Sequence, residues 1–124
     1  MGGLKLKKSL KIAQFILELI DELKKDIMGL KEWENLKFNH QLIISVAEKI
    51  DDKLRTNNIK DKKVDKHTLL LEILKEVFNL NENEEKAVQD IVNFLIEDKK
   101  ILGWSIKKSS LFFFQRLKNC FSHL

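Results

Sequence analysis

Few side chains in this 124-residue chain could do covalent, metal or acid–base chemistry. They are three histidines (His40, His67 and His123), one cysteine (Cys120) and two carboxylate clusters. A metal site needs His, Cys or carboxylate ligands at spacings that converge on one point. None of the three histidines has such a neighbour at a ligand-set spacing. No metal site and no cofactor are therefore expected. Cys120 lacks the base and orienting partner that would activate a thiolate, and a single cysteine cannot close an internal disulfide. That usage fits a reducing compartment. Glu18, Asp21 and Glu22, and again Glu72 and Glu76, put carboxylates on single helix faces. Such clusters read first as solvated faces. No nucleophile elbow, zinc-protease signature or glycine-rich phosphate loop is present, so the chain reads as a non-enzyme with no catalytic residues.

The elements that would carry these residues are helices. His67 opens the stretch His67–Leu80, which is apolar around more than half of a helical circumference. A helix apolar nearly all round is a buried one, so this stretch is the expected hub, with Asp65 as its N-cap. Ile12, Phe15, Ile16, Leu19, Ile20, Leu23 and Ile27 recur at helical spacing and predict a first helix. Ser9 is its expected cap, residues 1–8 a loose basic lead-in, and Gly29 its stop. Leu17 lies off that stripe and offers a second contact. Phe38, Leu42, Ile43, Val46, Ala47, Ile50 and Leu54 give the face of a second helix. Residues 56–63 read as an exposed polar loop. After the hub, Asn81 and Glu84 stand at capping-box spacing before a fourth helix, whose face is Val88, Ile91, Val92, Leu95 and Ile96. Gly103 marks a break. The expectation is an all-α fold: a small bundle of four helices in residues 1–104, plus a basic, Phe-rich C-terminal docking helix in residues 105–124.

Hydrophobic content of 44% and charged content of 34% fit a folded chain with one core. Lys, Ile, Leu and Asn abound and proline is absent, as an A+T-rich coding sequence would produce. No apolar run is long enough for a transmembrane helix, and the N-terminal stretch is no secretory signal. Gly2 lacks the downstream Ser or Thr of a myristoylation signal, Leu6 standing there instead. Cys120 is fifth from the end and misses the prenylation pattern.

The net charge of +4 is unevenly placed. Residues 1–100 carry 19 basic and 19 acidic side chains, whereas residues 101–124 carry four basic ones and no acid. The first eleven residues are basic too, through Lys5, Lys7, Lys8 and Lys11. Acidic protein surfaces, phosphate-bearing partners and anionic membranes would all suit two basic ends. Bases could stack on Trp104 and the phenylalanines. The cations are few, however, and Phe on an apolar helix face is usually core, which weighs against nucleic acid. In the last segment Ile106, Phe113, Leu117, Cys120, Phe121 and Leu124 share one helical face, with Phe114 at its edge, while Leu111 and Phe112 fall on the polar side among Arg116 and the lysines. Leu111, Phe112, Phe113, Phe114, Arg116, Leu117 and Phe121 are therefore the expected partner-docking residues. Other protein subunits are the expected partner, and an anionic membrane surface met by an interfacial helix is the alternative.

The block Lys63-Val64-Asp65-Lys66 through Ile73-Leu74-Lys75-Glu76, the acidic turn Asn81-Glu82-Asn83-Glu84-Glu85 and the phrase Ile91-Val92-Asn93-Phe94-Leu95-Ile96 resemble small all-helical proteins of large DNA viruses of algae and other protists. Those proteins pair a D-K-x6-I-L-K phrase with an I-I-x-F-I phrase ahead of a Lys-rich apolar end. The likeness covers residues 63–115. Many of those proteins have no assigned role, and some viruses of this kind use short helical proteins as minor capsid components under a major capsid lattice. The likeness thus implies either an uncharacterised or a minor capsid protein, in a virion or the cytoplasm, and no catalytic residue.

Overall fold

The computed structural model describes residues 2–60 and 64–104, with side chains from Lys11 onward. Its elements are α1 (Gly2–Met28), a short 3-10 turn (Trp33–Leu36), α2 (His40–Thr56), α3 (Lys66–Phe78) and α4 (Glu82–Glu97). The all-α bundle expected from the sequence is what forms. The expected docking helix, residues 105–124, lies outside the described residues.

Alpha-3 is the hub. Leu70, Ile73 and Leu74 are wholly shielded from solvent, and Leu69, Val77 and Phe78 are buried beside them. α1, α2 and α4 all pack on it, and α2 also touches both α1 and α4. The apolar spacing dictates this: a 13-residue helix with so wide an apolar arc needs neighbours on several sides. Phe78 at its end is covered by Trp33, whose ring centroid lies 5.9 Å away. The charges around the core set the register. Lys49 reaches Asp26 at 3.5 Å and Lys53 reaches Glu22 at 3.0 Å, so α2 runs antiparallel to α1. Lys24 meets Glu76 at 3.4 Å and Lys75 meets Glu85 at 3.1 Å. No polar residue is buried among the described residues.

The helix ends follow local rules. Asp65 accepts from the amides of His67 and Thr68, as expected of an N-cap. Asn81 and Glu84 complete a reciprocal capping box at 2.8 and 3.1 Å. Asn39 caps α2 by accepting from the Leu42 amide at 2.9 Å. At the C-terminal ends of α2, α3 and α4, a residue with positive φ reverses the chain: Asn58 (57°), Asn79 (50°) and Lys99 (59°). The next amide then donates back across the last turn, Ile59 to Leu54 at 2.9 Å, Leu80 to Lys75 at 3.3 Å and Lys100 to Leu95 at 2.8 Å. This is the Schellman closure, made here without glycine.

Three expectations need correction. α1 begins at Gly2, so Ser9 is not its cap and residues 2–8 are helical. Leu4, Lys5, Leu6, Lys7 and Lys8 are mostly straight-chain helix formers, and nothing at Ser9 breaks the run. Phe38 does not join the buried face of α2. It precedes the Asn39 cap and is 43% exposed. Ile59 is not loop surface, because the αL turn at Asn58 folds it back against the core.

Candidate functional site

The groups with potential chemistry are used in structure wherever they are described. Asp51 on α2 accepts a hydrogen bond from the Trp104 indole at Oδ2, 2.8 Å away. Its Oδ1 is shut off from solvent with no aligned hydrogen bond, and the Lys66 ammonium, 2.6 Å away, compensates it as an ion pair. Lys66 also lies 5.7 Å from the Trp104 ring centroid, and the His67 ring lies 5.4 Å from it. Ile101 and Trp104 are both buried, so the chain after α4 is pinned across α2 and the start of α3. Trp104 is thus unavailable for base stacking. His67 is half-buried against it.

The carboxylate clusters are dispersed into pairs. Asp21 pairs with Lys25 at 3.0 Å and Glu22 with Lys53, while Glu18 accepts from Gln14 at 3.3 Å. Glu76 is taken by Lys24. Among the described residues no three His, Cys, Asp or Glu side chains gather as a metal site. No described helix is long and apolar enough to cross a membrane. Two groups have shifted acidity, both at the α3–α4 turn. The Lys37 ammonium hydrogen-bonds to Glu84, and the Asn81 backbone amide adds to it; together they hold the Glu84 carboxyl below its ordinary 4.5. The Glu85 carboxylate raises Lys75 above 10.5, chiefly by hydrogen bonding and then by charge.

What remains at the surface is apolar. Phe38 precedes α2, and Phe94 on α4 is 53% exposed with the His40 ring 6.1 Å away. The Lys37 ammonium lies 5.9 Å from the Phe38 ring. Nothing in the sequence signals that Phe94 meets His40, at the start of α2.

The second feature is a cleft of about 610 Å³ between α1 and the α2–α3 connection, lined by Lys11, Ile12, Phe15, Asn57, Asn58, Ile59 and Lys60. Its cause is a mismatch of lengths. At 1.5 Å per residue the 27 residues of α1 span about 40 Å, against about 20 Å for α3. α2 meets Glu22 through Lys53 and stops at Thr56, so the earlier turns of α1 pass its end. Burial thins accordingly: Leu19, Leu23 and Ile27 are buried, whereas Ile12, Phe15 and Ile16 are half-covered. Leu17, on another side of α1, is 67% exposed.

The residues expected to dock a partner, Leu111, Phe112, Phe113, Phe114, Arg116, Leu117 and Phe121, lie outside the described residues, as do Cys120 and His123. In comparisons with family models, curated proteins and solved structures, nothing matches this chain.

Proposed function

We propose that this is a non-enzymatic structural and interaction protein, a minor component of a virus particle, that works by burying apolar helix surface against other protein subunits. The observation that supports it is the two phenylalanines left on the surface, Phe38 and Phe94, among the large apolar side chains the core does not cover. Aromatic side chains are enriched at protein interaction surfaces. The His40 ring lies beside Phe94 and the Lys37 ammonium near Phe38, so each ring has a polar neighbour. The virion setting rests on the resemblance of residues 63–115.

The test is co-sedimentation of the full chain with particles from the cells that make it, for the wild type and F38S/F94S. Both positions are exposed, so the thermal melt should be unchanged within about 0.5 kcal/mol. The particle-bound fraction should fall at least tenfold. A wild-type protein that stays free and monomeric, or a double variant that binds as the wild type does, contradicts the reading.

A further inference from the structure

We propose that the cleft between α1 and the α2–α3 connection docks on the anionic surface of a lipid bilayer, with Ile12, Phe15 and Ile59 meeting the acyl boundary and Lys11 and Lys60 the headgroups. This goes beyond the subunit-docking reading and uses a different face. The sequence pointed to residues 105–124 as the membrane-facing part; the cleft lies elsewhere.

The cleft exists because the αL turn at Asn58 brings Ile59 to the half-covered flank of α1. Its floor is apolar, and among the described residues that line it two are exposed lysines and none is acidic. Charge decides among occupants. The first acid in the chain is Glu18, so the seventeen residues before it hold Lys5, Lys7, Lys8 and Lys11 unopposed. A second copy docking cleft to cleft would bring the same lysines. The chain's own residues 105–124 carry four cations and no acid. Both are repelled, whereas an anionic surface is attracted. In the first twelve residues of the sequence lysines are interspersed with leucines and an isoleucine, the composition of helices that lie in a membrane interface. Lysine suits that place because its methylene stem follows apolar surface while the ammonium stays wet. An acidic protein would need only the charge, and nothing in the cleft offers it a directional carboxylate-binding fork such as arginine would supply.

The experiment is flotation of the full chain with vesicles of phosphatidylcholine alone or mixed with phosphatidylserine, at low and high salt. The wild type should float only with phosphatidylserine, and less at high salt. K11E/K60E, with both changes at exposed positions, should keep the melt and lose at least tenfold in binding. Absence of flotation, equal flotation on neutral vesicles, or unchanged binding of K11E/K60E overturns the proposal. So does a self-association that K11E/K60E abolishes without any vesicle binding, which would assign the cleft to a second copy. Loss of flotation in L111S/F112S but not in K11E/K60E would move the lipid contact to the C-terminal segment and overturn it as well. F38S/F94S should float like the wild type, so failure of the subunit-docking reading leaves this one standing.

Discussion

Replacing Trp104 with phenylalanine tests whether the chain beyond α4 is pinned where the geometry puts it. Trp104 is 8% exposed, and its indole N–H donates to Asp51 at 2.8 Å. Truncation to alanine would remove the packing outright and cost about 3–5 kcal/mol. Phenylalanine keeps most of the apolar contact and deletes the donor. A hydrogen bond to a charged group contributes about 1.5–3 kcal/mol. Here the Asp51 side chain is 30% exposed and keeps Lys66, so water and the ammonium recover part of that. We expect W104F to cost about 1–2 kcal/mol, which lowers the melting temperature by roughly 3–6 °C per kcal/mol at this size. Asp51→Asn keeps an acceptor for the indole but removes the negative charge that faces the Lys66 ammonium, whose side chain is 16% exposed, and should cost about 1–2 kcal/mol. The two residues touch, so their costs should not add: a double-mutant cycle should give a coupling of about 1 kcal/mol. Urea unfolding followed by circular dichroism supplies all four stabilities. In a W33F background Trp104 is the sole tryptophan and reports its own burial by emission. A W104F cost below about 0.5 kcal/mol together with a coupling below about 0.3 kcal/mol would refute the reasoning.

Lys99→Gly should stabilise the fold by about 0.5–1 kcal/mol, because lysine at φ 59° bears a left-handed penalty that glycine lacks, less glycine's larger unfolded-state entropy. A lower midpoint in urea would show that the lysine conformation is not strained. Asn81→Ala removes one half of the capping box and should cost about 1 kcal/mol by the same assay. Its companion Glu84 has a depressed folded-state acidity, so its contribution is present above 4.5 and is lost as pH falls through the lower folded value. Lys75 is raised, so its contribution is full below 10.5 and is lost as pH climbs through the higher folded value. Stability measured against pH should therefore fall at both extremes, with E84Q flattening the acid limb; an unchanged acid limb in E84Q would contradict the assignment. Phe78→Ser should cost about 3 kcal/mol or more, since the ring is buried against Trp33, whereas Leu71→Ser at a half-buried site should cost about 1–2 kcal/mol. Equal effects of the two in thermal melts would contradict the burial difference.

The helices were legible because their faces repeat at 3.6 residues, and Asp65, Asn81 and Glu84 announced two helix starts by type and spacing. The ends were harder. Asn79 stood out as a stop, but Lys99 gives no local sign that it will turn left-handed. It does so because Leu95 and Ile96 are held in the core and their carbonyls accept the returning amides. The start of α1 was misread for a related reason. Serine is a strong cap when a helix begins there, yet Ser9 is only one residue in a run of helix formers. Of the candidate surface, Lys11 and Lys60 were visible as charges. Their place on one cleft was not, because it depends on a tertiary event, the earlier turns of α1 passing the end of α2.

The breadth of the hub's apolar arc raised a sharper matter: α4 alone could not cover it, so another part of the chain or a partner had to. Trp33 takes the Phe78 end, α1 and α2 take the middle, and Trp104 closes over the Asp51–Lys66 end. Leu71 is left only half-exposed. The apolar surface with no cover among the described residues is peripheral instead: Leu17, Met28, Leu30, Phe38, Phe94, Leu102 and the flank of α1 beyond the end of α2. Phe38 owes its exposure to its place ahead of the Asn39 cap, and the α1 flank to a helix longer than its neighbours. Substitutions at the hub should therefore change folding, and substitutions at the periphery should change binding with the melt intact.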